Sequence, residues 1–410
     1  MATTKPITTH EGIYINPSAA LYTHETSTAR EAEITDPTKI KAYHESLPNF
    51  NTTSLHNLPS LASPLGLQGL LIKSESSRLG LPAFKILGAS WGVYRALCRE
   101  LDVVPDPDVT ALEVLRERLG QQASEGWTYV LFAATDGNHG RAVARMAKIL
   151  LPDQEERGMI YVPEGMYETT KKLIEGEGAE VVTVNGDYDK AVERCWEASE
   201  GFTKSGKGVG VMVQDNAFGE YKTVPGWVVD GYSTLLSEVD EHFAALQQEF
   251  KKPITHIVTP IGVGSLGKAV VKWAKTAARE HKVRVIACEP ETAACLNVSL
   301  KAGENTTIET IDTIMSGMCC GTVSPTSWEA LRDGVDASVT VGDWECHQTV
   351  LELLEKYEIE AGPCGAGCLA GLRKVLDSEQ ARSALGLGED SVVVVLSTEG
   401  RREYPVPQKK

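Results

Sequence analysis

From about residue 84 onward, short β-branched runs alternate with amphipathic stretches, and this alternation limits the folds open to the chain more than any other feature. Strands are predicted at Trp127–Ala133, Gly158–Pro163, Glu180–Asn185, Gly208–Gln214, His256–Ile261, Val283–Cys288 and Ser391–Leu396. Helices are predicted between them, at Gly140–Leu150, Asp187–Glu200, Tyr232–Phe250 and Leu266–Glu280. Strand and helix in turn indicate an α/β fold, with mostly parallel twisted sheets flanked by helices. The pattern predicts two domains: a larger one from 40–89 and 211–405, and a smaller one from 90–210, with a crevice between them for the chemistry. Residues 1–39, within a stretch rich in Thr, Ser, Asn, His and Pro, are expected to wrap over the body as an irregular N-terminal arm.

With 410 residues, 42% hydrophobic and 23% charged, the chain can build two substantial cores. A formal net charge of −16 argues against general affinity for nucleic acid or anionic membrane surfaces, so any anionic ligand must be held by local features. The start, Met1-Ala2-Thr3-Thr4-Lys5-Pro6, has no apolar segment behind it, and no run approaches the roughly 18 apolar residues of a membrane span. The expectation is a cytoplasmic protein. Nine cysteines, including Cys319-Cys320 and Cys364 with Cys368, lack zinc-site spacing and read as mostly reduced core residues, with a redox role for Cys364 and Cys368 as the lesser alternative.

In sheets of this kind, ligands sit beyond the carboxyl ends of strands, where loops enter helix N-termini. Gly262-Val263-Gly264-Ser265-Leu266-Gly267 falls at such a place, and its glycines let backbone N–H groups approach an anion. The same run satisfies the crude dinucleotide fingerprint, because Glu289 ends a strand 22 residues beyond Gly267. An NAD(P)-dependent oxidoreductase is therefore a rival reading, and a bare strand-to-helix turn is another. Lys268 either adds charge to the loop or faces solvent. Thr135-Asp136-Gly137-Asn138-His139-Gly140 also follows a strand. Asn138 offers an amide to a phenolic oxygen, while Asp136 or Asn138 has helix capping as its plainer role. His139 reads as a packed or capping histidine. Asp215, in Gln214-Asp215-Asn216-Ala217 ahead of Tyr221 and Trp227, is a candidate proton acceptor with a raised pKa, or else the start of an Asx turn. Ser397, in Ser397-Thr398-Glu399-Gly400, can offer a hydroxyl to a heteroaromatic nitrogen. Lys85, in Ala83-Phe84-Lys85-Ile86-Leu87-Gly88-Ala89, has apolar and small neighbours. Desolvation of such a lysine favours the free amine, a nucleophile toward an aldehyde such as that of pyridoxal phosphate.

Taken in order, these pieces resemble the tryptophan-synthase-β-like group, fold type II of pyridoxal-phosphate enzymes, and within it the diaminopropionate ammonia-lyase family. The likeness runs from about residue 60 to about residue 400. It is carried by AFKILGAS around Lys85, ATDGNHGRAVA at 134–144, VQDNAF at 213–218, PGWVVDGY at 225–232, Glu289-Pro290 with Cys295, and TIMSGMCCG at 313–321 with Trp328. Asp136, where many relatives carry Ser, is especially telling.

The resemblance implies that pyridoxal 5′-phosphate is the cofactor and that the larger domain binds its phosphate. Lys85 would be the Schiff-base lysine, Asn138 the partner of the phenolic oxygen, Gly262 to Gly267 the phosphate loop and Ser397 the partner of the pyridine nitrogen. It further implies that Asp136 takes the α-proton from a D-substrate, with Asp215 or Lys85 serving the L-form. The implied reaction is α,β-elimination on a small β-substituted amino acid, 2,3-diaminopropionate to pyruvate and ammonia, by a homodimer. β-Replacement and serine or threonine dehydration are the neighbouring alternatives. Three segments depart from the family pattern. Trp-Glu-Gly-Tyr becomes Phe218-Gly219-Glu220-Tyr221, Ser-Gly-Glu-Ser-Gly becomes Ala361-Gly362-Pro363-Cys364-Gly365, and Asp-Thr-Asp becomes Arg401-Arg402-Glu403.

Overall fold

Four consecutive valines, Val392 to Val395, lie in a strand whose every residue is buried, the pattern that the middle of a parallel sheet demands. This strand, β12 (Val392–Ser397), runs parallel to β4 (Gly69–Ser74) on one side and β9 (His256–Pro260) on the other, with Val395 opposite both Ile72 and Val258. In a computed structural model, which describes residues 8–9, 12–22, 35–106, 111–152, 154 and 157–409, it belongs to an eight-stranded sheet. The remaining strands are β1 (Thr8–Thr9), β2 (Ile13–Ile15), β3 (Leu55–Asn57), β10 (Arg284–Pro290) and β11 (Ala337–Val341), in the order β1-β2-β11-β10-β9-β12-β4-β3. The five strands from β11 to β4 are parallel, and the outer three pair antiparallel.

A second sheet, β7-β6-β5-β8, is wholly parallel and consists of β5 (Tyr129–Ala134), β6 (Gly158–Pro163), β7 (Glu180–Val184) and β8 (Val209–Met212). Each sheet anchors one compact unit. The described parts of Met1–Thr26, Thr52–Phe84 and Leu235–Lys410 form the larger, and those of Ser27–Asn51 and Lys85–Thr234 the smaller. These divisions differ from the expected 89/90 and 210/211. Residues 211–234 group with the smaller unit because helix α3 (Thr223–Gly231) packs on helix α1 (Lys85–Glu100). Gly88 permits that approach, since a Cβ there would lie 2.5 Å from Cε1 of Tyr232. His44, in helix Pro37–Ser46, ties in as well, bonding Thr234 Oγ1 at 2.7 Å and Leu87 O at 2.9 Å.

Parts of the N-terminal arm, residues 1–7, 10–11 and 23–34, lie outside the described residues. The described β2 extends the larger sheet through Ile15 opposite Ala337, and helix Pro37–Ser46 continues the chain, so these pieces are regular structure. In the larger unit, helix α6 (Pro363–Asp377) lays Leu369, Leu372 and Val375 into a core with Val258, Ile286, Val339 and Val395. In the smaller, helix Tyr188–Lys204 covers Val130, Phe132 and Met212 with Ala191 and Cys195. No helix among the described residues is long and apolar enough to cross a membrane.

Strand order also fixes where ligands can reach each sheet. From β9 the chain moves through helix α4 (Ser265–Ala274) to β10 on one side, while β12 lies on the other. From β5 it moves through helix α2 (Asn138–Leu150) to β6 and β7, while β8 lies opposite. Such reversals open a crevice at the strand ends within each sheet.

Candidate active site

At the larger reversal, Gly262, Val263 and Gly264 join β9 to Ser265, Leu266 and Gly267, the first turn of α4. Gly264 has φ +92°, and a Cβ there would also lie 2.7 Å from Leu331 Cδ1, so conformation and packing both call for glycine. At Gly262 a Cβ would lie 2.8 Å from the carbonyl of Gly317, within the TIMSGMCCG segment. Val263 O accepts from Ser324 N at 2.9 Å. The loop is thus held by the TIMSGMCCG segment, Leu331 and Ser324, and it opens the positive end of α4, where first-turn amides lack intrahelical partners, an arrangement suited to an anion. Lys268 does not face solvent: it is buried, and its Nζ donates to Thr326 O at 2.9 Å.

Beside this loop, β12 ends at Ser397. Its side chain is 1% exposed, and its Oγ has no hydrogen-bond partner among the described residues. A Cβ on Gly365, in the first turn of α6, would sit 2.6 Å from that oxygen. A buried hydroxyl without a partner costs about 1–3 kcal/mol, and a ring nitrogen would relieve it. The dinucleotide alternative loses its carboxylate here. Glu289 is wholly buried and accepts from the N–H groups of Leu296 and Asn297 at 2.7 and 2.8 Å, at the start of helix α5 (Cys295–Ala302). It is spent on a helix cap, where a nucleotide ribose has no access.

In the smaller unit the reversal gathers charge. Lys85, the first residue of α1, forms an ion pair with Oδ2 of Asp215, which follows β8. The strand ends are stitched together: Ala134 N donates to Gln214 Oε1 at 3.1 Å, and His139 Nε2 donates to Val213 O at 2.9 Å. Thr135, not Asp136 or Asn138, closes the start of α2, its Oγ1 accepting from Gly137 N at 2.8 Å and Gly140 N at 3.0 Å. Asn138 stands half-buried as the first residue of the helix.

The electrostatics reverse one expectation. Burial would raise the Asp215 carboxyl, but Lys85 and His139 outweigh it and hold the group down at about 2. The raised carboxyl is Asp136, pushed up to about 7 by desolvation, then by the charges of Asp215 and Asp189, with Lys85 pulling the other way. Its side chain remains open to solvent, which tempers the first cause and leaves the two carboxylates to sustain the direction. The His139 imidazole is pushed below its usual value, above all by burial, while the Asp215 carboxylate pulls it back up. Lys85, expected in apolar surroundings, is a fifth exposed and faces a carboxylate. Thr135, Gln214 and Tyr188, whose hydroxyl accepts from Gln214 Nε2 at 2.5 Å, escaped the sequence reading. Thr135 alone had a signal, as a threonine ending a strand five residues before the glycine whose amide it accepts.

Residues 47–399 match the family of pyridoxal-phosphate dependent enzymes. The chain belongs to that family. A diaminopropionate ammonia-lyase of Salmonella typhimurium is 30% identical over 374 residues, covering 88% of each chain. Diaminopropionate ammonia-lyase from Escherichia coli, solved in complex with D-serine, superposes with a TM-score of 0.79 at 28% identity, covering 95% of this chain and 93% of that one. The same enzyme, solved with an aminoacrylate-PLP azomethine reaction intermediate, gives 0.77 at 27% identity over 97% and 95%. Pyridoxal phosphate is accordingly this chain's cofactor, and the fold is that of the fold type II enzymes. The residue types present fit the group: in the larger unit a glycine-framed helix start would suit its phosphate, and a buried hydroxyl with no partner among the described residues its ring nitrogen, while in the smaller unit a lysine would suit its aldehyde.

Proposed function

We propose that the enzyme eliminates the β-amino group of 2,3-diaminopropionate, giving, after hydrolysis, pyruvate and two molecules of ammonia. When bound, pyridoxal phosphate supplies an electron sink for the charge left at the substrate Cα. Lys85 provides the amine that captures the aldehyde, and Asn138 meets the phenolic oxygen. Gly262, Val263, Gly264, Ser265, Leu266 and Gly267 hold the phosphate. Ser397 donates to the ring nitrogen without adding charge, which makes a milder sink than a carboxylate partner would.

Asp136 takes the α-proton of the D-isomer, and Asp215 or Lys85 serves the L-isomer. The observation that carries this reading is the Lys85–Asp215 ion pair in the same strand-end cluster as a carboxyl raised to about 7. A group near neutrality can both take and return a proton at working pH. Asp215, held at about 2, is a weak base. Its ion pair instead orients the Lys85 side chain.

A second reading, dehydration of serine or threonine or β-replacement, draws on two departures. Pro363 stands where relatives carry glutamate, and the Glu399 carboxylate is paired with Arg402 at 3.3 Å, so neither offers a free anion to a second substrate amine. The test is incubation with D- and L-2,3-diaminopropionate, serine and threonine, with assay of pyruvate and 2-oxobutyrate. Oxo acid from diaminopropionate alone supports the first reading, and from the hydroxy amino acids alone the second. No oxo acid from any of them ends both. A homodimer is proposed from the family likeness and a cytoplasmic location from nine cysteines that lack the spacing of a structural disulfide or zinc framework.

A further inference from the structure

Arg78 is wholly buried in the larger unit, and its guanidinium is clamped between two carboxylates. Nε and Nη2 donate to Glu75 Oε2 and Oε1 at 2.8 and 2.7 Å, and Nη1 and Nη2 donate to Glu238 Oε1 and Oε2 at 2.7 and 2.6 Å. Nη2 also reaches Thr53 Oγ1 at 2.8 Å. Lys73 closes the group by donating to Glu238 Oε2 at 2.5 Å and to Thr53 O at 2.7 Å. Two cations and two anions balance, and every one is inaccessible to solvent. Buried ion networks are seldom the most stable filling for a core, and hydrophobic residues of like volume often do as well, so what such a network adds is a fixed geometry.

What it fixes is the turn leading to Lys85. Arg78 and Leu81 exchange backbone hydrogen bonds at 2.7 and 2.8 Å, with Leu79 at φ +51° and Gly80 at φ +72°. A bulky residue such as Leu79 adopts that conformation only under constraint. Both ends of the turn are tied to β12 and its extension: Glu75 N to Ser397 O at 2.7 Å, Phe84 N to Thr398 O at 3.2 Å, and Gly400 N to Pro82 O at 2.8 Å. Lys85 is the next residue in the chain.

We infer that Arg78, held by Glu75, Glu238 and Thr53, is a positioning residue that sets the turn 75–84, and through it the placement of Ser397 and Lys85 for the cofactor. The inference rests on the assignment of Lys85 as the amine that captures pyridoxal phosphate. In that capture the lysine nitrogen bonds to the aldehyde carbon and the aldehyde oxygen leaves as water.

The experiment uses the full chain stripped of cofactor, as wild type, Arg78→Lys and Thr53→Val. Thr53→Val removes the four network bonds of the hydroxyl, to Glu75, Glu238, Lys73 and Arg78, while leaving every charge paired. Pyridoxal phosphate is added and three quantities are read: the rate of capture, from the growth of absorbance at about 410–430 nm; the fraction fixed at Lys85 by borohydride, from peptide mass; and the melting midpoint. Affinity for pyridoxamine phosphate, which has no aldehyde, reports phosphate holding separately. Arg78→Lys should slow capture roughly 10- to 100-fold and Thr53→Val by less, with pyridoxamine phosphate affinity changed far less than the rate. If Arg78→Lys fails to fold, Thr53→Val decides. Wild-type capture rates in the folded variants, with only the midpoint lowered, would overturn the positioning role and leave the lysine assignment standing. Absence of trapping at Lys85 in the wild type would overturn the assignment and the inference together.

Discussion

At the ends of β9 and β12 the larger unit presents backbone amides, glycines and one neutral hydroxyl, whereas at the ends of β5 and β8 the smaller unit presents an ammonium and two carboxylates. Both arise from the same device, a reversal of strand order in a parallel sheet. They differ in what the following loop is made of. Backbone amides carry partial charges that no change of pH removes, which suits a permanent anion such as a phosphate ester. Ionisable side chains change charge with their neighbours, which suits proton movement. The first set is expected to control how tightly cofactor is held, and the second how fast substrate is turned over.

The largest break in that division is expected at Lys85. Lys85→Ala should lower turnover by roughly 10⁴-fold or more and abolish borohydride trapping. Lys85→Arg should do the same while keeping the ion pair with Asp215, which separates loss of the amine from loss of the charge. Equilibrium dialysis of pyridoxal phosphate checks the other half of the contrast: both variants should still bind it through the glycine loop.

Asp136 comes next. Asp136→Asn should reduce turnover of the D-isomer by about 10²- to 10⁴-fold and affect the L-isomer less. In the wild type the acceptor must be ionised. Activity on the D-isomer should therefore rise with pH through about 7, where Asp136 loses its proton, and fall away below it. The variant should lack that limb. A D-isomer profile that keeps its limb in Asp136→Asn would assign the proton to another group.

The contrast also marks what the sequence could and could not disclose. The parallel sheets were legible because short apolar and β-branched runs alternate with helical stretches along most of the chain. The glycine loop was legible because its residue types are dictated locally, by a positive φ at Gly264 and close packing at Gly262. The protonation of the acids was not, because it depends on distant partners. Asp215 is held at about 2 by a lysine far from it in the chain, while Asp136, beside Thr135, takes the raised value expected of Asp215. Outer strands β2 and β3, three residues each, are too short for alternation to register. The Arg78 network unites Thr53, Lys73, Glu75 and Glu238, and charged residues in sequence look solvated until the fold brings their opposites together.

Ser397 sharpens the holding side by a smaller amount. Ser397→Ala removes a buried oxygen that has no partner among the described residues, so the cofactor-free protein should be as stable as wild type or slightly more so. Cofactor affinity should nevertheless fall by about 0.5–1.5 kcal/mol, the net worth of one hydrogen bond. Thermal melts with and without pyridoxal phosphate give both numbers. A variant that is destabilised equally in both states would mean that the hydroxyl serves packing alone.

The smallest effect on the cofactor is expected at Glu289, the residue on which the dinucleotide reading depended. Burial raises its carboxyl to about 7 from the usual 4.5, although two backbone N–H groups and Ser338 favour the charged form. Because the folded state holds this proton more tightly than the unfolded chain, its contribution to stability is complete below about 4.5 and is lost as pH rises through about 7. Glu289→Gln should remove that slope. It should also cost about 1–3 kcal/mol, because an amide N–H₂ then faces one of the two donors at the start of α5. Pyridoxal phosphate affinity should stay within a few-fold of wild type, and neither protein should bind NAD. If Glu289→Gln instead matched wild type in the pH dependence of its melting midpoint, the buried carboxyl would already be ionised, its charge stabilised by the amides of Leu296 and Asn297 despite complete burial.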